Sequence, residues 1–449
     1  GRGGGGGLGG GGGASGAWCV DCFALRPHTR PLRPVPSSWG EFFPLVGVGV
    51  EGLVDFGFGR ADEAFRGEAR EWLEGHLVGP YAGLAGVGGP GSEHLGVAER
   101  REWERELGGG GWIGLGWECA EGAYGNRVGS LTRQVVWAEE YARAGAPGRV
   151  GHIGENLLAP TLIAYGDEAQ RRRFLPAVAR GEELWCQGYS EPDAGSDLAG
   201  LRTVAVRDGA GYRVSGQKIW TSLAREADWC FVLARTDPGE RRHRGLSFLL
   251  VPMDQPGRVE VRPIRQMSGT AEFNEVFFDG ALAPQVVGGE GAGWQVAMGL
   301  LARERGVSTL VQQIGFAAEL AAVIAEAVRC GSLRDAVLRE QLIGQWAELR
   351  VMRWNALRTL GAAGDAGAPS VAKLLWGGWH QRLGELAMRV RGAAAALGPV
   401  DWTARAPYEL DALQRLFLFT RADTLYGGSD EIQRNIIAER VLGLPRLER

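Results

Sequence analysis

The spacing of apolar residues changes twice along this chain, and that change constrains the fold more than any single motif. From Asp62 to about residue 180 the period is helical: Phe65, Ala69, Trp72, Leu73 and His76 share one face, and Leu131, Val135, Ala138 and Tyr141 share another. Gly145 and Pro147 stop that second helix, and Asp167 reads as the N-cap of a helix carrying Phe174, Leu175 and Val178. Between about 181 and 285 the pattern becomes that of strands. Residues 203–207 and 212–215 flank Asp208-Gly209-Ala210-Gly211, a hairpin signal, and 229–234, 246–251, 259–263 and 273–278 read as further strands. Helical periodicity then returns through 296–328, 333–360, 371–397 and 410–425. The expected fold class is α+β: a helical N-terminal domain over 54–180, a small antiparallel β middle domain over 181–285, and a C-terminal four-helix bundle over 286–449.

Residues 1–53 have a different character. A glycine run to Gly13 gives way to a proline- and arginine-bearing stretch through Pro36, with no period able to bury a core. The stretch lacks the basic start and apolar middle of a secretory signal, while 26–38, poor in acids, is the part nearest to a transit peptide. The favoured explanation is a translation start assigned too far upstream, with Val54 as the true beginning. Lys218 and Lys373 are the only lysines among many arginines, the usage of a GC-rich, bacterial coding sequence. With 49 basic residues against 53 acidic ones, the net charge of -4 offers no footprint for nucleic acid or an anionic membrane. Cys19 and Cys22 form a lone Cys-x-x-Cys without a second pair or nearby histidines, so no metal is expected. The apolar run 315–328 is broken by Glu319 and Glu326, and a cytoplasmic protein without membrane insertion is expected. Gly47-Val48-Gly49-Val50-Glu51-Gly52 mimics a dinucleotide fingerprint, but the next helix opens about ten residues later. The glycines from Gly86 to Gly91 enclose a proline and read as a loop.

Two stretches carry the chemistry. Residues 187–198, Gln-Gly-Tyr-Ser-Glu-Pro-Asp-Ala-Gly-Ser-Asp-Leu, are answered by 217–222, Gln-Lys-Ile-Trp-Thr-Ser. Small hydroxylic residues and glycines let backbone approach a large planar ligand, and Trp220 offers it a stacking face. The plainer reading makes these turns and a core aromatic. The first stretch resembles the Thr/Ser-Glu-Pro-x-Ala-Gly-Ser-Asp signature of the acyl-coenzyme A dehydrogenase family, and two further motifs agree in order: 267–273, Met-Ser-Gly-Thr-Ala-Glu-Phe, and 425–435, Leu-Tyr-Gly-Gly-Ser-Asp-Glu-Ile-Gln-Arg-Asn. The likeness runs from about residue 55, where Asp55-Phe56-Gly57-Phe58 resembles the family's usual opening.

That resemblance implies FAD between the β domain and the C-terminal bundle. It assigns Ser190 to the flavin ring, Trp220 to the length of the isoalloxazine, Ser222 to the neighbourhood of flavin N5, and Gln187 and Tyr189 to the same clasp. Ser429 and Glu431 match the family's Thr and Gln flavin contacts, and Ser196 faces the acyl-coenzyme A. It further implies loss of an α proton and a β hydride from an acyl thioester, electron-transferring flavoprotein as partner, and a homo- or hetero-tetramer or dimer.

The chain departs from the family at its base. Many members carry a catalytic glutamate in Tyr-Glu-Gly-Thr; here the matching position is Gly427, whose backbone N–H would still serve an oxyanion hole. A minority place the glutamate on the first helix of the C-terminal bundle in a Glu-Arg pair, and Arg303-Glu304-Arg305-Gly306 resembles that site, with Arg305 beside the substrate. Periodicity points to Glu304 independently, since it falls on the apolar stripe of Leu300, Val307, Val311 and Ile314, where desolvation would raise its pKa. The plainer reading is a helix-end ion pair with Arg303 or Arg305. Two FAD-gripping segments are altered: no Arg-x-x-Phe-Gly stands near 329–333, and 391–398 replaces Gln-x-x-Gly-Gly-x-Gly. These losses raise a second reading, a catalytically silent subunit paired with an active homologue. A flavin oxidase or hydroxylase on the same fold is a third.

Overall fold

The structure is a computed structural model and describes residues 58–89, 91–240, 242–304, 308–360, 367–398 and 410–445. The glycine-rich opening, the Cys19 and Cys22 pair and the Gly47 to Gly52 pattern lie outside the described residues. The described chain begins with helices α1 (Arg60–His76), α2 (Val97–Gly109), α3 (Leu131–Arg143), α4 (Ala159–Tyr165) and α5 (Glu168–Ala179). Helix α3 ends before Gly145, which takes the left-handed conformation that closes helices. At α5 the expected N-cap is a full capping box: Asp167 Oδ1 accepts the Gln170 N–H at 2.8 Å, and Gln170 Oε1 accepts the Asp167 N–H at 3.1 Å. Helix α2 has a weak apolar signature because its buried face holds Arg100 and Glu104 beside Trp103 and Leu107. The buried Arg100 guanidinium is satisfied by the Gly148 and Glu93 carbonyls and the Glu93 carboxylate, at 2.6, 2.7 and 2.9 Å.

The middle of the chain forms one sheet from β1 (Trp185–Gly188), β2 (Val204–Asp208), β3 (Gly211–Ser222), β4 (Trp229–Arg235), β5 (Leu246–Pro252), β6 (Val259–Ile264), β7 (Phe273–Ala283) and β8 (Gln285–Val287). The strand order is β6-β7-β3-β2-β4-β5-β8, with β1 also paired to β4. Most pairings are antiparallel, as the hairpin signal implied, but β1 and β2 each pair with β4 in parallel. The long excursion through 189–203 turns the chain back before β2, which is what a parallel pairing needs. Strands β4 and β5 are apolar without alternation because both of their faces are covered. Phe231, Leu233, Phe248 and Leu250 join a core with α4 and α5, while Cys230, Val232, Leu249 and Val251 join a second core within the sheet. Strand β3 runs on to Ser222, well past the expected end near Ser215. Register shifts at Val214/Gly216 and Lys218/Thr221 bulge it there and hide the alternation.

After the sheet come α6 (Gly293–Glu304), α7 (Ser308–Cys330), α8 (Ala336–Leu360), α9 (Ala368–Arg391), α10 (Ala412–Phe419) and α11 (Asp430–Ile436). The expected helix over 296–328 is thus two elements with different partners. Helix α6 buries Val296, Ala297 and Leu300 against the β4 and β5 face, whereas α7 to α10 pack around Phe316, Leu320, Val323, Leu342, Trp379, Leu383 and Leu416. Helix α10 is shorter than the expected 410–425: it starts on the Asp411 cap and tightens into a 3-10 turn over Thr420–Ala422, a common helix ending.

Candidate active site

The two motif stretches meet through Lys218. Its ammonium is fully buried and donates to the Tyr189 carbonyl at 3.1 Å, the Leu233 carbonyl at 2.8 Å and Glu191 Oε1 at 2.8 Å. The backbone adds a second stitch, Ile219 N–H to the Ser190 carbonyl at 2.9 Å. Glu191 also accepts the N–H groups of Arg202 and Thr203 at 2.6 and 2.9 Å. Burial alone would raise this carboxyl, but the Lys218 ammonium and these donors outweigh it and hold it below the ordinary carboxylate range. Neither Lys218 nor Glu191 is assigned a role by the sequence reading. Their signal is present all the same, in the rarity of lysine and in a Glu locked by the following proline.

The clasp residues have distinct settings. The Tyr189 ring is core, edge-on to Phe231 and Phe248 with centroids 5.9 and 6.3 Å away. Gln187 and Ser190 are half-buried, and Ser196 is exposed on the loop that follows. Trp220 stands out: it is 55% exposed and holds φ +61°, the left-handed region that a bulky side chain rarely occupies. Phe273 meets the indole edge-on, with centroids 6.1 Å apart. Ser222 is half-buried next to Thr221, whose buried hydroxyl has no hydrogen-bond partner among the described residues.

The C-terminal motif forms a tight turn ahead of α11. Gly427 and Gly428 have φ +63° and +85°, and Gln433 Nε2 donates to both of their carbonyls, at 3.3 and 3.1 Å. Ser429 is half-buried and caps α11, its hydroxyl accepting the Ile432 N–H at 3.4 Å. Glu431 is exposed, and its own backbone N–H together with Ser429 keeps its carboxyl below the usual range. Glu304 is the last residue of α6; its side chain and the whole of Arg305 lie outside the described residues.

Contacts across the three regions connect the two motif clusters. Glu272, the residue before Phe273, accepts the Glu93 N–H at 3.1 Å, and burial pushes its carboxyl above its ordinary value. A side chain added at Gly91 would reach Arg415 and Phe419 at 3.9 Å, and the Phe419 ring lies 6.5 Å from that of Tyr426. Residues 91–93 therefore stand between the Trp220 side and the Gly427 side. Sequence reading misses this loop because its neighbours are remote in the chain.

Residues 60–182, 186–281 and 291–442 match, in turn, the N-terminal, middle and C-terminal domains of acyl-CoA dehydrogenase. The chain belongs to the acyl-CoA dehydrogenase family. Acyl-CoA dehydrogenase IpdE1 of Mycobacterium tuberculosis is 54% identical over 388 residues, covering 86% of this chain and 98% of the relative. Its namesake from Mycolicibacterium smegmatis is 52% identical over 396 residues, with 86% and 98% covered. Among solved structures, the Tcur3481-Tcur3483 steroid ACAD is similar with a TM-score of 0.74 at 30% identity, over 88% of this chain and 100% of that one. The ChsE4-ChsE5 complex from Mycobacterium tuberculosis gives 0.71 at 30%, again over 88% and 100%. Of the family's altered FAD-gripping segments, Arg329 is engaged by Glu326 on its own helix at 2.7 Å, and Arg391 pairs with Glu326 at 3.0 Å and with Asp411. Within this acyl-CoA dehydrogenase chain, both guanidinium groups are thus held by carboxylates.

Proposed function

We propose that this chain is an FAD-dependent acyl-CoA dehydrogenase that converts an acyl-CoA thioester to the 2-enoyl-CoA, with Glu304 removing the α proton. The observation that carries the reading is the Lys218 stitch, which brings Ser190 and Ser222 to either side of an exposed, left-handed Trp220. Strained backbone under an exposed indole is costly and has no packing role, so it fits a planar ligand laid on that face. The buried Thr221 hydroxyl without a protein partner fits the same place. Ser190, Trp220 and Ser222 would hold the flavin, with Gln187 and the Tyr189 backbone behind them and Ser429 and Glu431 from the C-terminal turn. FAD, when bound there, supplies the acceptor for the β hydride.

The protein's own part is to bind, polarise and deprotonate. Ser196 and Arg305 bind the substrate, and the Gly427 N–H accepts the growing negative charge of the thioester oxygen, which acidifies the α carbon. Glu304, at the end of an α6 whose inner face is apolar, takes the proton. Electron-transferring flavoprotein is the expected electron acceptor. The similarity to a complex titled a steroid ACAD favours bulky, ring-bearing acyl groups. The test is anaerobic mixing of the purified flavoprotein with straight, branched and ring-bearing acyl-CoA thioesters, with bleaching of the flavin by at least one as the expected result. Gly427 and the two-component character of the Tcur3481-Tcur3483 and ChsE4-ChsE5 assemblies favour a second reading, a silent partner subunit. Bleaching only after a homologous subunit is added would establish that reading instead.

A further inference from the structure

A second buried polar cluster lies under the Gly427 turn. Helix α9 presents Lys373, Trp376, Gly377 and His380 on one buried face, spaced three, four and seven residues apart. His380 Nδ1 stands 2.8 Å from Asp423 Oδ2 and its Nε2 2.7 Å from Glu319 Oε2 on α7. Asp423 is fully buried and also accepts the Tyr426 hydroxyl on Oδ1 at 2.7 Å, while its backbone carbonyl accepts the Lys373 ammonium. That ammonium lies over Trp376 at 3.8 Å and Tyr426 at 4.9 Å. On α11, Asp430 Oδ1 approaches the same face at Gly377, where an added Cβ would stand 3.9 Å from it and 3.3 Å from the Asp423 carbonyl.

This geometry fixes protonation states. A neutral imidazole has one N–H, so one of its nitrogens would turn a lone pair on a carboxylate; with both protonated, each carboxylate receives a donor. His380 and Lys373 then balance Glu319 and Asp423, which lets buried charges persist. Burial alone would depress the imidazolium, but Asp423 and Glu319 outweigh it and lift its pKa to about 9.

We propose that His380 is a positioning residue, which through Asp423 and Tyr426 fixes the turn that presents the Gly427 N–H to the thioester. Tyr426 immediately precedes Gly427, and Gln433 clamps the turn from its other end, so the cluster and Gln433 hold a two-glycine segment that has little stiffness of its own. The inference rests on the dehydrogenase reading for its chemistry, but the held turn is testable apart from it.

The experiment compares wild type, His380→Gln and Tyr426→Phe as flavin-loaded proteins. Hydrogen exchange of the amides of residues 424–430 is measured on either side of the imidazolium pKa and normalised for intrinsic rate. Wild type should lose protection as pH rises through about 9, when His380 gives up its proton. His380→Gln should be unprotected at both pH values, and Tyr426→Phe, which removes one hydroxyl and leaves the buried charges alone, should lose part of the protection. Flavin reduction by a substrate thioester should fall on the order of tenfold to a hundredfold in kcat for His380→Gln. KM should change little, and the wild-type fall at high pH should be absent. Unchanged protection in Tyr426→Phe overturns the proposal even if His380→Gln fails to fold, as does a wild-type rate and pH profile in His380→Gln. If no thioester reduces the wild type while the exchange pattern appears as described, the dehydrogenase reading fails and the held turn stands.

Discussion

Lys218 and Lys373 are the only lysines of the chain, and each is buried in one half of the site. An ammonium sends three donors in three directions from a compact head, which suits the three acceptors around Lys218; the flat, larger guanidinium fork would not fit. Lys218→Met should therefore cost about 3–5 kcal/mol in urea unfolding at neutral pH, because the buried Glu191 carboxylate loses its counter-charge. Loss of under 1 kcal/mol would contradict that reading. Trp220 gives a prediction of opposite sign. A buried core tryptophan exchanged for a small residue loses about 3–5 kcal/mol, whereas Trp220→Gly relieves left-handed strain at an exposed position and should leave stability level or raised by about 1 kcal/mol. Flavin retained through purification should fall sharply in the same variant. The candidate role of Trp220 was legible in its motif, but its backbone strain was not, because a bulge set by the β3–β7 register creates it.

At the scale of elements, the helices were legible wherever their buried face is apolar, and the strands wherever a hairpin or a continuous apolar run marked them. Helix α2 and the end of β3 escaped notice for one reason, polar residues satisfied inside: Arg100 and Glu104 in the first, Lys218 in the second. Local chemistry at helix ends was more legible, since a cap acts within a few residues. Asp167→Ala should cost about 1 kcal/mol, the usual worth of an N-cap. Gln170→Ala should cost more than Asp167→Ala, because its amide also donates to the Val286 carbonyl at 2.8 Å and so ties α5 to β8. Urea titration of both variants checks the order, and a costlier Asp167→Ala would refute it.

For the molecule as a whole, the twofold change of period revealed the helical, sheet and helical regions in order, and three motifs revealed the family. What links the regions was hidden, because Glu272 with Glu93, Gly91 with Phe419, and His380 with Asp423 are contacts between residues far apart in sequence. The departure at Gly427 was visible, yet its left-handed backbone was not: a glutamate restored there would have to adopt φ near +63°, a strained conformation for it. This makes α6 the favoured source of the base. The most direct measurement is stopped-flow, anaerobic reduction of the bound flavin by a substrate acyl-CoA in wild type and in Glu304→Gln. The account predicts equal flavin content in the two proteins and a reduction rate lower on the order of 10²–10⁴-fold in the variant. A Glu304→Gln protein that reduces its flavin at the wild-type rate would contradict it.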